Sequence, residues 1–150
     1  MGLEIERKFL VTDTDYHQRA EKQVRIRQGY LSRDPERTVR VRIKDDKGYL
    51  TVKGSTDGCV RQEFEYEIPQ ADAESMLALC VPPVLEKIRY LVREGNHVWE
   101  IDEFLSLPAP LTLAEIELES VDEPFDLPSF IGEEVTGDPV YYNSNLTAGS

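Results

Sequence analysis

Charged side chains recur at every second position in one stretch after another of this 150-residue chain. Glu4, Glu6 and Lys8 begin the series, followed by Arg40, Arg42 and Lys44, by Thr51 with Lys53, and by Arg61, Glu63, Glu65 and Glu67. Lys87 with Arg89, Glu100 with Asp102, and Glu115, Glu117 and Glu119 continue it. A repeat of two is the side-chain period of a β-strand, and the positions between are largely apolar (Val39, Val41, Ile43; Phe64, Tyr66, Ile68; Ile88, Tyr90, Val92). Each stretch therefore predicts a strand with one charged and one apolar face. The alternation predicts strands over 2–11, 23–33, 37–45, 48–54, 59–68, 84–94, 97–105 and 112–121. Asp46-Lys47-Gly48 and Gly95-Asn96 read as tight hairpin turns, which makes most neighbours antiparallel. Ala73, Met76, Leu77 and Cys80 behind Pro69 predict a helix over 70–80, with a second helix over 13–22. The tail from Asp122, rich in Pro and Gly, is expected to wrap over the surface with one short helix around Ser129–Glu134. With no repeat and no linker-like break, residues 1–150 read as a single domain.

An antiparallel sheet of about eight strands closes into a barrel or folds into a sandwich, and the face that turns inward decides what it can do. For any one strand, a solvated face of cross-strand ion pairs is the ordinary arrangement. Ordinary solvated faces mix Ser, Thr, Asn and Gln with the charges, whereas strand after strand here repeats charges in i, i+2 pairs. Like charges set side by side cost stability unless an opposite charge lies between them. The alternative is a charged interior, with the apolar faces covered by the helices and the tail. Acidic pairs in such an interior suit hard divalent cations, Mg2+ or Mn2+, through oxygen. Basic pairs suit phosphate oxygens, which Arg meets with a planar fork and Lys with a point charge. A tunnel holding both signs is what a metal-bound triphosphate requires.

Composition narrows the partners. Asp and Glu number 29 against 17 Lys and Arg, and a net charge of -12 with a pI near 4.6 argues against duplex nucleic acid. No apolar run approaches the ~18 residues of a spanning helix, so no membrane partner is expected. The N-terminus runs straight into Leu3–Lys8 without a basic leader or cleavage site, so the expected location is cytoplasmic. Cys59 and Cys80, the only cysteines, lack metal-finger spacing and are expected to be buried free thiols. His17 and His97 fall outside the charged alternation and are expected at the surface.

Glu4-Ile5-Glu6-Arg7-Lys8 resembles the ExExK signature of the CYTH superfamily, the triphosphate tunnel metalloenzymes. Arg40-Val41-Arg42, Thr51-Val52-Lys53, Arg61 to Glu65, Glu86 to Tyr90, Trp99 to Asp102 and Ala114 to Glu117 follow in that family's order. The resemblance implies a mainly β (α+β) fold: an eight-stranded antiparallel β-barrel tunnel with a charged interior and a few short covering helices. It also implies metal-dependent hydrolysis of a triphosphate. Carried over, Glu4, Glu6, Glu115 and Glu117 would face metal, and Lys8, Arg40, Arg42, Lys53, Lys87 and Arg89 would hold phosphates. Arg61, Glu63, Glu65 and Asp102 would line the substrate site, and Glu4, Glu6, Lys8 and Glu117 would serve catalysis. Arg25 and Arg27 point outward if Gln28 and Tyr30 face the tunnel, and they stay outside the site. The expected substrate is inorganic tripolyphosphate, split to pyrophosphate and phosphate with Mg2+ or Mn2+ by a monomer or homodimer. Nucleoside or thiamine triphosphate hydrolysis, adenylyl cyclisation and non-catalytic polyphosphate binding are the alternatives.

Overall fold

The computed structural model describes residues 2–107 and 109–146; residues 1, 108 and 147–150 of the expected domain lie outside the described residues. The strands are β1 (Leu3–Val11), β2 (Lys22–Ser32), β3 (Thr38–Lys44), β4 (Lys47–Asp57), β5 (Val60–Ile68), β6 (Val81–Glu94), β7 (His97–Phe104), β8 (Leu111–Leu118) and β9 (Ile131–Glu134). Among the described residues three helices accompany them: α1 (Tyr16–Arg19), α2 (Gln70–Leu79) and α3 (Asn143–Leu146), with a 3-10 turn at Pro139–Tyr141.

Antiparallel pairing runs β5-β4-β3-β2-β6-β7-β8-β1, and a further β1–β5 pairing closes the first eight strands into a barrel. One edge of β1 pairs with β8 from Ile5 to Leu10. Its other edge is divided: β5 takes Leu3 to Ile5, and β9, outside the barrel, takes Phe9 and Val11. The seam between them is bridged by backbone donors. Glu6 N donates to Cys59 O at 3.0 Å, Lys8 N to Thr136 Oγ1 at 2.9 Å, and Val135 N to Lys8 O at 2.8 Å. The C-terminal segment thus completes the wall that β5 leaves open.

The barrel is inverted relative to an ordinary core, because its apolar faces point outward and are covered from outside. Phe9, Tyr90, Val92, Trp99, Ile101, Ala114, Ile116 and Leu118 form one such cluster with Tyr16 of α1 and Phe130 of the tail. Val41 and Ile43 form another with Ala73, Leu77 and Cys80, beneath α2. Two glycines let α2 sit that close: a Cβ on Gly29 would lie 2.9 Å from Cys80 Cβ, and one on Gly48 would lie 2.6 Å from Ala73 Cβ.

Several local expectations are corrected. Ser129–Glu134 is not a short helix; Ile131–Glu134 is the strand β9, because the free edge of β1 offers it a ladder. The turn after β3 is Asp45-Asp46, with Asp45 at φ 55°, so Lys47 and Gly48 already belong to β4. The helix expected over 13–22 shrinks to Tyr16–Arg19. The apolar cover stops short of β5: Ile68 packs under α2, but Phe64 and Tyr66 remain 43% and 64% exposed. Cys80 is buried as a free thiol, whereas Cys59 is only half-buried. His17 is exposed, while His97 is half-buried and bonded to Glu123 at 2.6 Å. Among the described residues, no helix is long and apolar enough to cross a membrane.

Candidate active site

The inward charged faces enclose a cavity of about 260 Å3. Glu4, Glu6 and Lys8 of β1 line it, as do Arg40 and Arg42 of β3, Lys53 of β4 and Arg61, Glu63 and Glu65 of β5. Lys87 and Arg89 of β6 and Glu115 and Glu117 of β8 complete the expected lining. Strand register brings them together, setting Glu6 opposite Glu117, Lys8 opposite Glu115 and Lys53 opposite Glu63. Asp102 is the exception. It is 1% exposed and lies behind the wall, bonded to Arg89 at 2.8 and 2.9 Å and paired with Lys87 at 2.8 Å. Both of its oxygens are engaged by Arg89 and Lys87, so Asp102 supports the two cations from behind instead of lining the cavity. Arg25 and Arg27 lie outside the barrel, paired with Glu86 and Glu74.

The basic wall carries more positive charge than its partners balance. Arg40 and Arg42 share one carboxylate, Glu65, at 3.3 and 3.0 Å, and Thr51 Oγ1 donates to the same oxygen at 2.6 Å. The Nε atoms of both arginines are buried without a partner among the described residues. Burial, then the neighbouring Arg40 and Arg89, pushes the Arg42 pKa down to about 10. Burial likewise lowers Lys44, which also lines the cavity, and pushes Lys87 down to about 8 despite Asp102. Arg61 spends its donors on neutral acceptors, Gly54 O at 2.6 Å and Thr38 Oγ1 at 2.8 Å.

The acids gather on the opposite side. Glu6, Glu100 and Glu115 can each offer an oxygen within 4.8 Å of the others. Burial raises the Glu6 pKa well above its ordinary value, and the charges of Glu115 and Glu4 add to it. Burial also raises Glu4 and Glu117, although Lys53 opposes this at Glu4 from 3.2 Å. Burial opposes the Glu115 charge too, but Lys8 and Arg89 hold it far below the usual carboxylate range. Carboxylate oxygens packed against one another in this way match the donor set of a hard divalent cation. Of the expected quartet, Glu6 and Glu115 are joined by Glu100, while Glu4 is turned to Lys53 and Glu117 stands at the mouth. Glu119 lies outside the cavity, in an outer groove with Glu117 and Glu123.

Sequence reasoning missed how the cavity ends. Tyr142, Asn143 and Ser144 of the tail line it; Asn143 Oδ1 accepts from Lys87 Nζ at 2.8 Å and Gln28 Nε2 at 2.9 Å, and Tyr141 O accepts from Lys8 Nζ at 2.9 Å. Beyond them the inward positions turn apolar: Leu85, Phe104 and Leu113 pack with Leu10, Leu111, Tyr141 and Leu146. One end of the barrel is therefore stoppered. The signal was present, since Leu10, Leu85, Phe104 and Leu113 keep the phase of Lys8, Lys87, Asp102 and Glu115 on four strands.

A chain of this fold with an enclosed, two-signed interior has known counterparts. The chain is 51% identical to an inorganic triphosphatase of Acetivibrio thermocellus, over 97% of this chain and 94% of that one. It is 35% identical to an inorganic triphosphatase of Nitrosomonas europaea, over 95% of each chain. A crystal structure of an inorganic triphosphatase superimposes with a TM-score of 0.69 at 33% identity, covering 98% of this chain and 99% of that one. The CYTH domain profile matches residues 2–142, from the first barrel strand to the start of the segment that stoppers it. This chain belongs to the CYTH domain family.

Proposed function

We propose that this protein hydrolyses inorganic tripolyphosphate to pyrophosphate and phosphate, with Mg2+ or Mn2+ held in the tunnel. It acts in the cytoplasm, as a monomer or homodimer, with residues 1–150 forming one domain and with neither nucleic acid nor membrane as a partner. Its similarity to proteins named inorganic triphosphatase supports the reaction. The observation that carries the substrate class is the under-neutralised basic wall. Two arginines with orphaned Nε atoms share one carboxylate, beside lysines whose charge burial disfavours. A polyanion satisfies all of these groups at once.

In this reading Arg40, Arg42, Lys53, Lys87, Arg89 and Lys8 hold the phosphates, with Arg61 fixed beside them by Thr38 and Gly54. Glu63 and Glu65 hold Lys53, Arg40 and Arg42 in position until substrate arrives, and Asp102 does so for Arg89 and Lys87. Glu4, Glu6, Glu115 and Glu117, with Glu100, are the oxygen ligands offered to metal. A divalent ion there supplies a Lewis acid for the phosphoryl oxygens and lowers the pKa of a bound water. The chain's own part is positioning and charge stabilisation. Lys8 keeps its proton against burial because Glu115 and Glu6 raise its pKa, so it stays cationic between the acids and the phosphates. Water adds to a terminal phosphorus and gives up a proton to solvent, the bridging P–O bond breaks, and its electron pair leaves on pyrophosphate, whose charge the arginines stabilise.

The test is initial-rate phosphate release from tripolyphosphate, ATP, thiamine triphosphate and pyrophosphate, each with Mg2+, Mn2+ or EDTA. Metal-dependent release greatest with tripolyphosphate is the expected result. No release from any of them, or greater release from an organic triphosphate, would overturn the reading.

A further inference from the structure

We propose that Asn143 is a substrate-positioning residue: its amide nitrogen receives the innermost phosphate of the chain at the stoppered end, so that the bond cut is counted from that end. The inference rests on the triphosphatase reading and adds the register in which substrate is held.

Asn143 is oriented by two partners. Its Oδ1 accepts from Lys87 Nζ at 2.8 Å and from Gln28 Nε2 at 2.9 Å. Lys87 can only donate, so the amide oxygen must face it and the nitrogen must be the other limb. Both partners are buried, Lys87 being 1% and Gln28 0% exposed. Asn143 lines the cavity, and the hydrogen bonds its side chain makes among the described residues are both accepted by Oδ1, which leaves Nδ2 facing the cavity space. A donor held by two buried side chains, next to an ammonium and at a cavity surface, is suited to a phosphate oxygen.

What lies behind Asn143 makes it a stop. Lys87 Nζ stands 5.3 Å from the centroid of the Phe104 ring, and Phe104 packs with Leu85, Leu113 and Leu146. A further phosphate would have to enter this apolar cluster without hydrogen-bond partners, which is prohibitive for a dianion. A linear polyphosphate entering from the acidic mouth therefore halts with its end phosphate on Asn143 and Lys87. The carboxylates of Glu6, Glu100 and Glu115 are a fixed distance away, so the same bond faces them in every encounter.

The discriminating variant is Asn143→Asp. It keeps the side chain's shape and an oxygen for both Lys87 and Gln28, and it replaces the donating NH2 with an anionic oxygen. Expected are a melting temperature no lower than that of the parent and a tripolyphosphate Kd, measured by calorimetry, at least tenfold weaker. Linear tetraphosphate tests the register. At initial rate the parent should give one product pair, and Asn143→Ala, checked for an intact melt, should give both phosphate with tripolyphosphate and pyrophosphate alone. A Kd for Asn143→Asp within twofold of the parent, or mixed tetraphosphate products from the parent, would overturn the proposal. Absence of tripolyphosphate turnover by the parent would instead refute the triphosphatase reading, while the calorimetric comparison would still decide the role of Asn143.

Discussion

Asp102 grips Arg89 through both carboxylate oxygens, Nε to Oδ1 at 2.8 Å and Nη2 to Oδ2 at 2.9 Å, while Lys87 Nζ lies 2.8 Å from Oδ2. One carboxylate thus serves two buried cations. Burial opposes its charge, yet Arg89 and Lys87 hold its pKa below the ordinary range. Asp102→Asn keeps the shape but leaves Lys87 without its carboxylate partner and Arg89 with the longer contacts to Glu100 and Glu115, at 3.3 and 3.4 Å, and the expected cost is about 3–5 kcal/mol. In a thermal melt each kcal/mol is worth about 2–4 °C for a domain of this size. A bound polyanion replaces the missing charge, so tripolyphosphate should raise the melting temperature of the variant by more degrees than that of the parent. Equal shifts would mean that Asp102 is not a placeholder for phosphate charge.

Glu6 gives the opposite sign. Its pKa is raised well above the ordinary value by burial first, and then by Glu115 and Glu4. An acid whose folded pKa exceeds its unfolded value stabilises the fold while protonated, and this contribution is lost as pH rises through the folded pKa. At neutral pH in EDTA, Glu6→Gln should therefore melt a few degrees above the parent. The same variant should lose the thermal stabilisation that Mg2+ or Mn2+ gives the parent, and its turnover should fall by about 100-fold or more. A metal-free variant that melts below the parent would show that Glu6 is structural instead.

The barrel was legible because period-two alternation is strong in β1, β3, β5 and β8, and because like charges such as Arg40 with Arg42 are unusual on a solvated face. Parity alone picked out the cavity wall, since a strand register slip would have turned every one of these side chains outward. It could not distinguish Asp102 from Glu115, because both share the inward phase and differ only in how far the cations lean over them. Nor could it find β9, whose four residues become a strand only because β5 leaves half of the β1 edge free. Gly48 was misread as turn chemistry, whereas its missing side chain is needed by α2. Tyr141–Leu146, like Gln28–Leu31, resembles the small bacterial members of the family, but that resemblance assigns Asn143 no role, since its partners Lys87 and Gln28 are distant in sequence.

Gly48 and Ala73 meet where α2 crosses β4, and an added Cβ on Gly48 would lie 2.6 Å from Ala73 Cβ and 3.2 Å from Ile68 O. Gly48→Ala should cost about 1–3 kcal/mol through overpacking. Adding Ala73→Gly relieves the closer clash and should recover part of that loss, less about 1 kcal/mol for glycine within a helix. A double-mutant cycle by urea unfolding measures the coupling. Additive effects would place the strain elsewhere, at the Ile68 carbonyl.

Lys87 is expected to give tripolyphosphate binding a pH dependence. Burial outweighs Asp102 and pushes its pKa down to about 8, below an ordinary lysine. The folded protein therefore releases this proton before the unfolded chain does. Between about pH 8 and the unfolded value of ~10.4, the unfolded state binds more protons, so the stability of the ligand-free protein rises with pH across that window on account of this group. Affinity moves the other way, because a neutral amine gives up its charge against phosphate. The Kd for tripolyphosphate should weaken as pH rises above about 8 in the parent. Lys87→Met should bind more weakly at pH 7 but lack this component, and it should also lack the alkaline gain in stability. Because the ligand's own titration is common to both proteins, the difference between the two pH profiles isolates Lys87. Parallel profiles would show that the lysine stays charged throughout, with Asp102 prevailing over burial.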